Sequence, residues 1–357
     1  MNVGIVGCGV ISKHYAENAP AFDAVELVAC ADLDLAFAEA LAADFGLEAL
    51  TVDELMAERS IEVVLNLTPP QAHVEVTRAA LAARKHVYSE KPLATQVADA
   101  IELVEEAERR GLLLGCAPDI FLGGAYQAAR ALIDDGAIGE PVAVAAAMLV
   151  GGANEWHPSP EQFFQDGAGP VLDMGPYYLS AIVALLGPVA RVAGFASTLT
   201  AERAIAAGPR AGGRFAPTTP TQVTTTLELE SGATATLIAS FEVNDRYVCD
   251  LAIHGREGTI ALPDPNFFEG ALRIRRNRDE WEELSYASRG TREARGVGLQ
   301  DLIEAVADAR PPRASGRLGA HVVDVARSVL LSAEKGRTID IVTRTERPDP
   351  LPVLDRA

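Results

Sequence analysis

A glycine-rich motif near the amino terminus has the residue types that bind a pyrophosphate. Gly7, Gly9 and Ser12 follow an apolar run in the spacing GxGxxS. Gly7 permits a tight turn from a strand into a helix, and Gly9 lets the backbone approach the phosphates. The helix that would follow, starting at Val10 and Ile11, points its free N–H groups at the anion. The motif therefore predicts a dinucleotide site.

An acidic residue follows this motif at the spacing of a ribose contact. Asp32 ends the next apolar run. It follows the glycine motif by roughly 20 residues, the spacing at which a carboxylate binds the two ribose hydroxyls. Leu33 and Asp34 come next, so these positions offer no cation to a 2′-phosphate. We therefore expect NAD rather than NADP. The alternative is that Asp32 is an ordinary strand-end or helix-cap acid.

Two further loops follow apolar runs and would lie at the same edge of a parallel sheet. Thr68 and Pro69 could line the dinucleotide. His73 would either hydrogen-bond the dinucleotide or be a satisfied histidine at a helix start. The motif Glu90-Lys91-Pro92 ends the next run and supplies an amine beside the nucleotide.

Apolar periodicity indicates an α/β fold in two domains. Over residues 1–120, short apolar runs alternate with helical stretches, which predicts a doubly wound parallel sheet. The predicted helices include Leu35–Phe45 and Val97–Arg110, the second capped by Thr95. Consecutive β segments predict an α+β domain over residues 121–345, with a large, mostly antiparallel open sheet, and a tail over 346–357. A second subunit would cover the free face of that sheet, which predicts a homo-oligomer, a dimer or a tetramer. Residues 207–220 predict a long loop, either a mobile flap or a surface connection.

Composition argues against several classes of partner. A formal net charge of −19 disfavours nucleic acid and anionic membrane surfaces. The apolar runs are shorter than the roughly 20 residues of a membrane span, and the first residues lack a signal-peptide pattern, so we expect a cytoplasmic protein. The spacing of Cys8, Cys30, Cys116 and Cys249 predicts buried free thiols and no metal site.

The motifs together resemble those of the Gfo/Idh/MocA family of sugar and cyclitol dehydrogenases. The similarity covers Gly7–Ser12, Asp32, Thr68–His73 and Val87–Leu93, and it continues through Gly167–Tyr178 and the closing helices. It implies an N-terminal Rossmann domain, a C-terminal open sheet that often forms oligomer contacts, and a substrate cleft between the two domains.

The resemblance also implies that Lys91 contacts the nicotinamide ribose and the reacting oxygen. A partly desolvated ammonium near the positive nicotinamide ring has a lowered pKa, which suits proton exchange with an alcohol near neutral pH. The alternative is a surface ion pair between Lys91 and Glu90. Pro92 would hold the geometry of this loop, and the sequence leaves open whether its peptide bond is cis.

The second-domain motif of the family, DxGxHxxD, is only partly present. Asp173 and Gly175 match, but Tyr177 stands at the histidine position and Ser180 at the position of the last acid. Two mechanisms remain open. Either Lys91 accepts the substrate proton while Asp173 and Tyr177 orient the hydroxyl, or Tyr177 accepts it after Lys91 has lowered its pKa.

Four other residues are candidates for substrate binding. Trp156 and His157 would give a sugar ring an aromatic face and a hydrogen bond, or they would anchor a loop on the core. Asp119 and Phe121 could contact substrate, and Asp119 would serve equally well as a helix cap. We expect NAD-dependent hydride transfer between nicotinamide and a secondary alcohol or ketone of a sugar, sugar derivative or cyclitol. The alternatives are an NAD-retaining glycosidase of the same fold and a non-catalytic NAD-binding sensor.

Overall fold

The computed structural model describes residues 1–244, 250–287 and 295–352. Within these ranges the chain forms two compact units. The first contains residues 1–123 and 295–323, and the second contains the remaining described residues. The predicted second domain, 121–345, differs from this division, because residues 295–323 pack with the first unit.

The first unit is built on a six-stranded sheet. Its strands are β1 Asn2–Val6, β2 Glu26–Ala31, β3 Glu48–Leu50, β4 Val63–Asn66, β5 His86–Ser89 and β6 Leu114–Cys116. Its first helices are α1 Val10–Asn18, α2 Leu35–Phe45, α3 Val52–Ala57, α4 His73–Ala82 and α5 Val97–Arg110. The strands lie in the order β3-β2-β1-β4-β5-β6, and each pair is parallel. The predicted doubly wound sheet is confirmed, and its carboxyl edge is where such folds bind ligands.

Local sequence explains where these helices begin and end. Helix α2 begins after Asp34, whose side chain accepts the N–H of Ala36. It ends at Gly46, which takes the left-handed conformation that glycine adopts without strain. The predicted cap of α5 at Thr95 is wrong, because Gln96 is the N-cap residue and its side chain makes no capping bond.

The second unit is built on a nine-stranded sheet. The elements that follow α5 and β6 are α6 Gly124–Asp134, β7 Pro141–Leu149, α7 Gly169–Asp173, α8 Gly175–Leu186, β8 Val189–Ser197, β9 Arg203–Ala204, β10 Arg214–Phe215, β11 Gln222–Leu229, β12 Thr234–Ser240, β13 Leu251–Gly255, β14 Gly258–Leu262, β15 Leu272–Arg276, β16 Glu282–Leu284, α9 Val297–Ala307, α10 Gly316–Lys335 and β17 Ile339–Asp340. The sheet has the order β16-β15-β14-β13-β7-β12-β11-β8-β17. Among these described strands only β7 and β12 pair in parallel, which confirms the mostly antiparallel sheet.

Helix α9 and the first residues of α10 belong to the first unit. Ala320 and Val323 of α10 pack in the apolar core of that unit with Leu93 and Leu114. The predicted loop over residues 207–220 contains β10, which pairs with β9.

Cys8, Cys30 and Cys116 are free and buried, whereas Cys249 lies outside the described residues. The strand predicted to start at Cys249 is described from Leu251. No helix in the described ranges is long and apolar enough to cross a membrane. The same ranges contain no cluster of three or more His, Cys, Asp or Glu side chains that could hold a metal ion.

Candidate active site

The glycine turn between β1 and α1 leaves open space for a ligand. Gly7 has φ +99°, and a Cβ atom there would lie 2.6 Å from the carbonyl carbon of Leu67, so a side chain does not fit. Gly9 is the N-cap of α1, which has no side-chain cap and no acidic residue in its first turn. A Cβ atom on Gly9 would meet no atom within 4 Å. The helix terminus and the open approach fit a pyrophosphate.

Asp32 is oriented by this turn. Its Oδ2 accepts the N–H of Cys8 at 2.8 Å, and its Oδ1 accepts the N–H of Asp34 at 3.1 Å. Each carboxylate oxygen has a further lone pair for a ribose hydroxyl. The contact with Cys30, together with burial, raises the pKa of the Cys8 thiol, so the turn gains no negative charge at neutral pH.

Two exposed apolar side chains flank the same turn. Leu33 is 97% exposed and Val10 is 79% exposed. Such side chains suit the face of an adenine ring, and of the two only Val10 is among the predicted cofactor contacts. An exposed leucine is common on protein surfaces, so Leu33 gave no signal by itself.

The loop after β4 is fixed by a buried amide that sequence reasoning missed. Asn66 is fully buried, and its Nδ2 donates to the backbone carbonyl of His73 and to Thr77 Oγ1, both at 3.1 Å. Its Oδ1 accepts the hydroxyl of Thr68 at 2.7 Å. Thr68 is therefore held in place half-buried, beside exposed Pro69. A polar residue that ends the apolar run Val63–Asn66 was the available signal.

His73 connects this loop to the turn after β5. Its Nδ1 lies 2.7 Å from the carbonyl oxygen of Pro92, and its Nε2 lies 2.7 Å from the carbonyl oxygen of Thr68. The side chain is 1% exposed. Because both ring nitrogens contact the backbone, the structure favours the satisfied histidine over a direct contact with a cofactor.

The Glu90-Lys91-Pro92 turn is anchored from within. Glu90 Oε1 accepts the hydroxyl of Tyr15 at 3.0 Å, and Oε2 accepts the backbone N–H of Lys91 at 3.0 Å. The N–H of Glu90 donates to the carbonyl of Asn66 at 2.8 Å. Glu90 is thus a buried anchor, whereas Lys91 is half-buried, and this arrangement differs from a surface ion pair. The peptide bond between Lys91 and Pro92 is cis.

Tyr15, which sequence reasoning did not include, completes this anchor from helix α1. It is 3% exposed. Burial and the charge of Glu90 raise the pKa of Tyr15, so its hydroxyl keeps its proton and remains a donor.

Asp119 caps a distant helix. Its Oδ2 accepts the N–H of Gly298, in the first turn of α9, at 2.7 Å. Gly296, the N-cap of α9, offers no side chain for this task. Asp119 and Phe121 are 1% and 3% exposed. The structure therefore favours the helix-cap interpretation of Asp119, and a substrate contact by either residue stays a prediction.

In the second unit, Asp173 and Tyr177 lie on either side of a helix break. Asp173 ends α7, and Pro176 lies in the first turn of α8, where its missing N–H costs no hydrogen bond. Asp173 is half-buried and Tyr177 is 6% exposed. A carboxylate and a phenol four residues apart supply an acceptor and a donor for a hydroxyl group.

Trp156 and His157 belong to an aromatic cluster in the second unit. Their ring centroids are 5.4 Å apart, and Phe163 lies 5.9 Å from Trp156 and 5.0 Å from His157. The Trp156 side chain is 64% exposed. Trp156 therefore offers an aromatic face to solvent and is supported by two further rings.

Buried Arg203 anchors the loop that carries this cluster. Its guanidinium donates to the carbonyl of Gly151 at 3.1 Å and to Asn154 Oδ1 at 2.9 Å. An ion pair of 2.8 Å to Glu242 holds the arginine itself. The contacts that anchor this loop are thus those of Arg203, and whether the aromatic residues anchor the loop or bind substrate stays a prediction.

Comparisons with known proteins agree on both units. Residues 1–117 match the family described as "Oxidoreductase family, NAD-binding Rossmann fold". Residues 126–261 match the family described as "GFO/IDH/MocA C-terminal domain".

Curated relatives share about a third of the aligned residues. A dTDP-3,4-didehydro-2,6-dideoxy-alpha-D-glucose 3-reductase of Streptomyces violaceoruber is 33% identical over 205 residues, 54% of this chain and 57% of that protein. An inositol 2-dehydrogenase of Salmonella paratyphi B is 33% identical over 151 residues, 40% of this chain and 44% of that protein. The chain thus spans about half the length of these relatives.

Solved structures show the fold over nearly the whole chain. An NAD binding oxidoreductase from Klebsiella pneumoniae has a TM-score of 0.84 at 24% identity, covering 96% of this chain and 99% of its own. A levoglucosan dehydrogenase in complex with NADH and L-sorbose has a TM-score of 0.83 at 21% identity, with the same coverage.

Proposed function

The chain belongs to the Gfo/Idh/MocA oxidoreductase family, and from this premise we propose that it is an NAD-dependent dehydrogenase. Its substrate would be a secondary alcohol, or in reverse a ketone, of a sugar, sugar derivative or cyclitol. The observation that carries the proposal is the Glu90-Lys91-Pro92 turn, anchored at the carboxyl edge of the sheet that carries the glycine turn.

The first unit would hold the cofactor. The N–H groups at Gly9, Val10 and Ile11 would donate to its pyrophosphate, and Asp32 would accept from its ribose hydroxyls. Asp32, followed by Leu33 and Asp34, repels a 2′-phosphate, which favours NAD over NADP. Bound NAD supplies the carbon that exchanges a hydride with the substrate.

Lys91 and the second unit would handle the hydroxyl of the substrate. Lys91 accepts the hydroxyl proton while Asp173 and Tyr177 orient the hydroxyl, or Tyr177 accepts it with help from the charge of Lys91. Trp156 stacks on the sugar ring and His157 donates or accepts one hydrogen bond. The two named relatives act on a deoxysugar nucleotide and on inositol, which supports this substrate class.

The open face of the nine-stranded sheet would bind a second copy of the chain. Phe195 on β8 is 84% exposed, and Ala193, Thr224 and Thr226 beside it are exposed and small. Such a face buries well against its own copy. Free buried thiols support a cytoplasmic location for the oligomer.

A screen of polyols and aldoses that follows NADH absorbance tests this function. The Lys91→Ala variant is expected to keep its NAD affinity and to lose at least about a hundredfold in turnover, the scale of a lost proton-transfer group. Lys335→Ala, at the exposed end of α10, is the matched control. Unchanged turnover in Lys91→Ala would remove Lys91 from the reaction. Sugar-bond cleavage without net NADH would indicate a glycosidase, and tight NAD binding without turnover would indicate a sensor.

A further inference from the structure

The imidazole of His73 holds two loops that are far apart in the chain. It contacts the carbonyl of Thr68 after β4 and, 19 residues along from His73, the carbonyl of Pro92 after β5. Both contacts are 2.7 Å, the short end of the range for an N–H donor to oxygen. The two carbonyls belong to the loops that carry the proposed cofactor contact and the proposed proton carrier.

A neutral imidazole satisfies only one of these partners, because a carbonyl accepts and a neutral ring donates from one nitrogen. The second bond needs a second proton. Burial lowers the pKa of His73, and the charge of Lys91 acts in the same direction. The two carbonyls and the charge of Glu90 oppose that shift. The ring therefore holds its second proton more weakly than free imidazole does, and the second bond forms when that proton is present.

The Lys91 turn has one anchor on each side. On the near side, Glu90 bonds the backbone N–H of Lys91, Tyr15 and the carbonyl of Asn66. On the far side, the carbonyl of Pro92 is bonded by His73. The His73 imidazole thus connects the residue that follows Lys91 to the loop of Thr68.

We propose that His73 is a positioning residue that sets the place of Lys91 relative to the cofactor loop. Its neutral ring donates to one of the carbonyls of Thr68 and Pro92, and its doubly protonated ring donates to both. This inference rests on the proposed function, in which Lys91 takes part in proton transfer. In this role His73 acts through the two backbone carbonyls that its ring nitrogens contact.

Three substitutions separate the two contacts. In His73→Asn, the amide reaches the place of Nδ1 and keeps a donor for Pro92. In His73→Gln, the amide reaches the place of Nε2 and keeps a donor for Thr68. His73→Phe keeps a ring and loses both donors.

We expect His73→Phe to lower kcat by roughly tenfold to a hundredfold, the scale of an ångström-level misplacement. His73→Asn should recover most of kcat, whereas His73→Gln should recover the affinity for NAD and little of kcat. His86→Asn is the control, since His86 is half-buried at the opposite edge of the sheet. Equal losses in all three variants, in proportion to their loss of thermal stability, would overturn the proposal.

A second readout needs no turnover. The chain has only four lysines, Lys13, Lys85, Lys91 and Lys335, so competitive acetylation followed by mass spectrometry resolves each amine. In folded protein without cofactor, His73→Phe should change the reactivity of Lys91 relative to Lys335, and His73→Asn should restore it. An unchanged Lys91 reactivity in His73→Phe would overturn the proposal. If wild-type protein turns over no polyol, the proposed function fails, and the acetylation result still decides the role of His73.

Discussion

Asp119 caps α9, and its contact with Gly298 sets how much stability the Asp119→Ala variant should lose. Asp119→Ala removes the acceptor of the Gly298 N–H and leaves the first turn of α9 without a cap. Loss of a cap costs about 0.5–2 kcal/mol, and an unsatisfied buried N–H costs about 1–3 kcal/mol. Both figures describe the same bond, so we expect a loss of about 1–2 kcal/mol, the range that they share. At about 2–4 °C per kcal/mol for a domain of 150–250 residues, the unfolding midpoint falls by roughly 2–8 °C.

Thermal unfolding and steady-state kinetics on the same preparations check this prediction. Asp119→Asn is the matched variant, because its amide oxygen keeps the bond to Gly298 and removes the charge. An unfolding midpoint that stays at the wild-type value in Asp119→Ala, together with a large fall in kcat/KM, would refute the cap and restore the expected substrate contact.

The pH dependence of stability gives Asp119 a separate signature. Burial raises the pKa of Asp119, and the bond from Gly298 offsets only part of that effect. Between the ordinary pKa and the raised one, the folded state binds the proton more tightly than the unfolded state does. The contribution of Asp119 to stability is therefore lost as pH rises through this window. Asp119→Asn should remove that slope.

Three further predictions concern the first unit. Gly7→Ala places a Cβ atom against Leu67 and should lower both the unfolding midpoint and the affinity for NAD, whereas Gly9→Ala should lower only the affinity for NAD. Calorimetric titration measures the affinity, and thermal unfolding measures the midpoint. Wild-type NAD affinity in Gly7→Ala would contradict the proposal that this turn binds the pyrophosphate. Tyr15→Phe leaves Glu90 Oε1 without its donor and should cost about 1–3 kcal/mol in denaturant unfolding, so an unchanged midpoint would remove Tyr15 from the anchor. Asp32→Asn should shift the ratio of NAD to NADP dissociation constants toward NADP, and an unchanged ratio would contradict its proposed ribose contact.

The sequence predicted the bounds of helices that have long periodic patterns. Helices α2 and α5 have the predicted bounds, because each has enough apolar positions for the helical period and a glycine that stops it. Strand β3 and helix α3 were not predicted, since three and six residues carry too few periodic positions. The capping box of Thr51 and Glu54 was the signal for α3.

The sequence predicts residues in local motifs better than it predicts contacts between residues that are far apart in the chain. Gly7 and Asp32 were assigned from local spacing, because a strand, a turn and a helix are adjacent in the chain. The partner of Asp119 lies 179 residues away, and no local pattern encodes such a contact. The same limit applies to Tyr15 and Glu90, which are 75 residues apart.

The transfer of deuterium from a labelled alcohol to the cofactor measures the proposed hydride transfer itself. A polyol deuterated at its ring carbons, taken from the substrates that the screen returns, is incubated with the protein and NAD, and the reduced cofactor is analysed by mass spectrometry. Each NADH formed is expected to carry one deuterium from the substrate carbon. NADH without deuterium, or altered sugar without any NADH, would contradict the proposed hydride transfer.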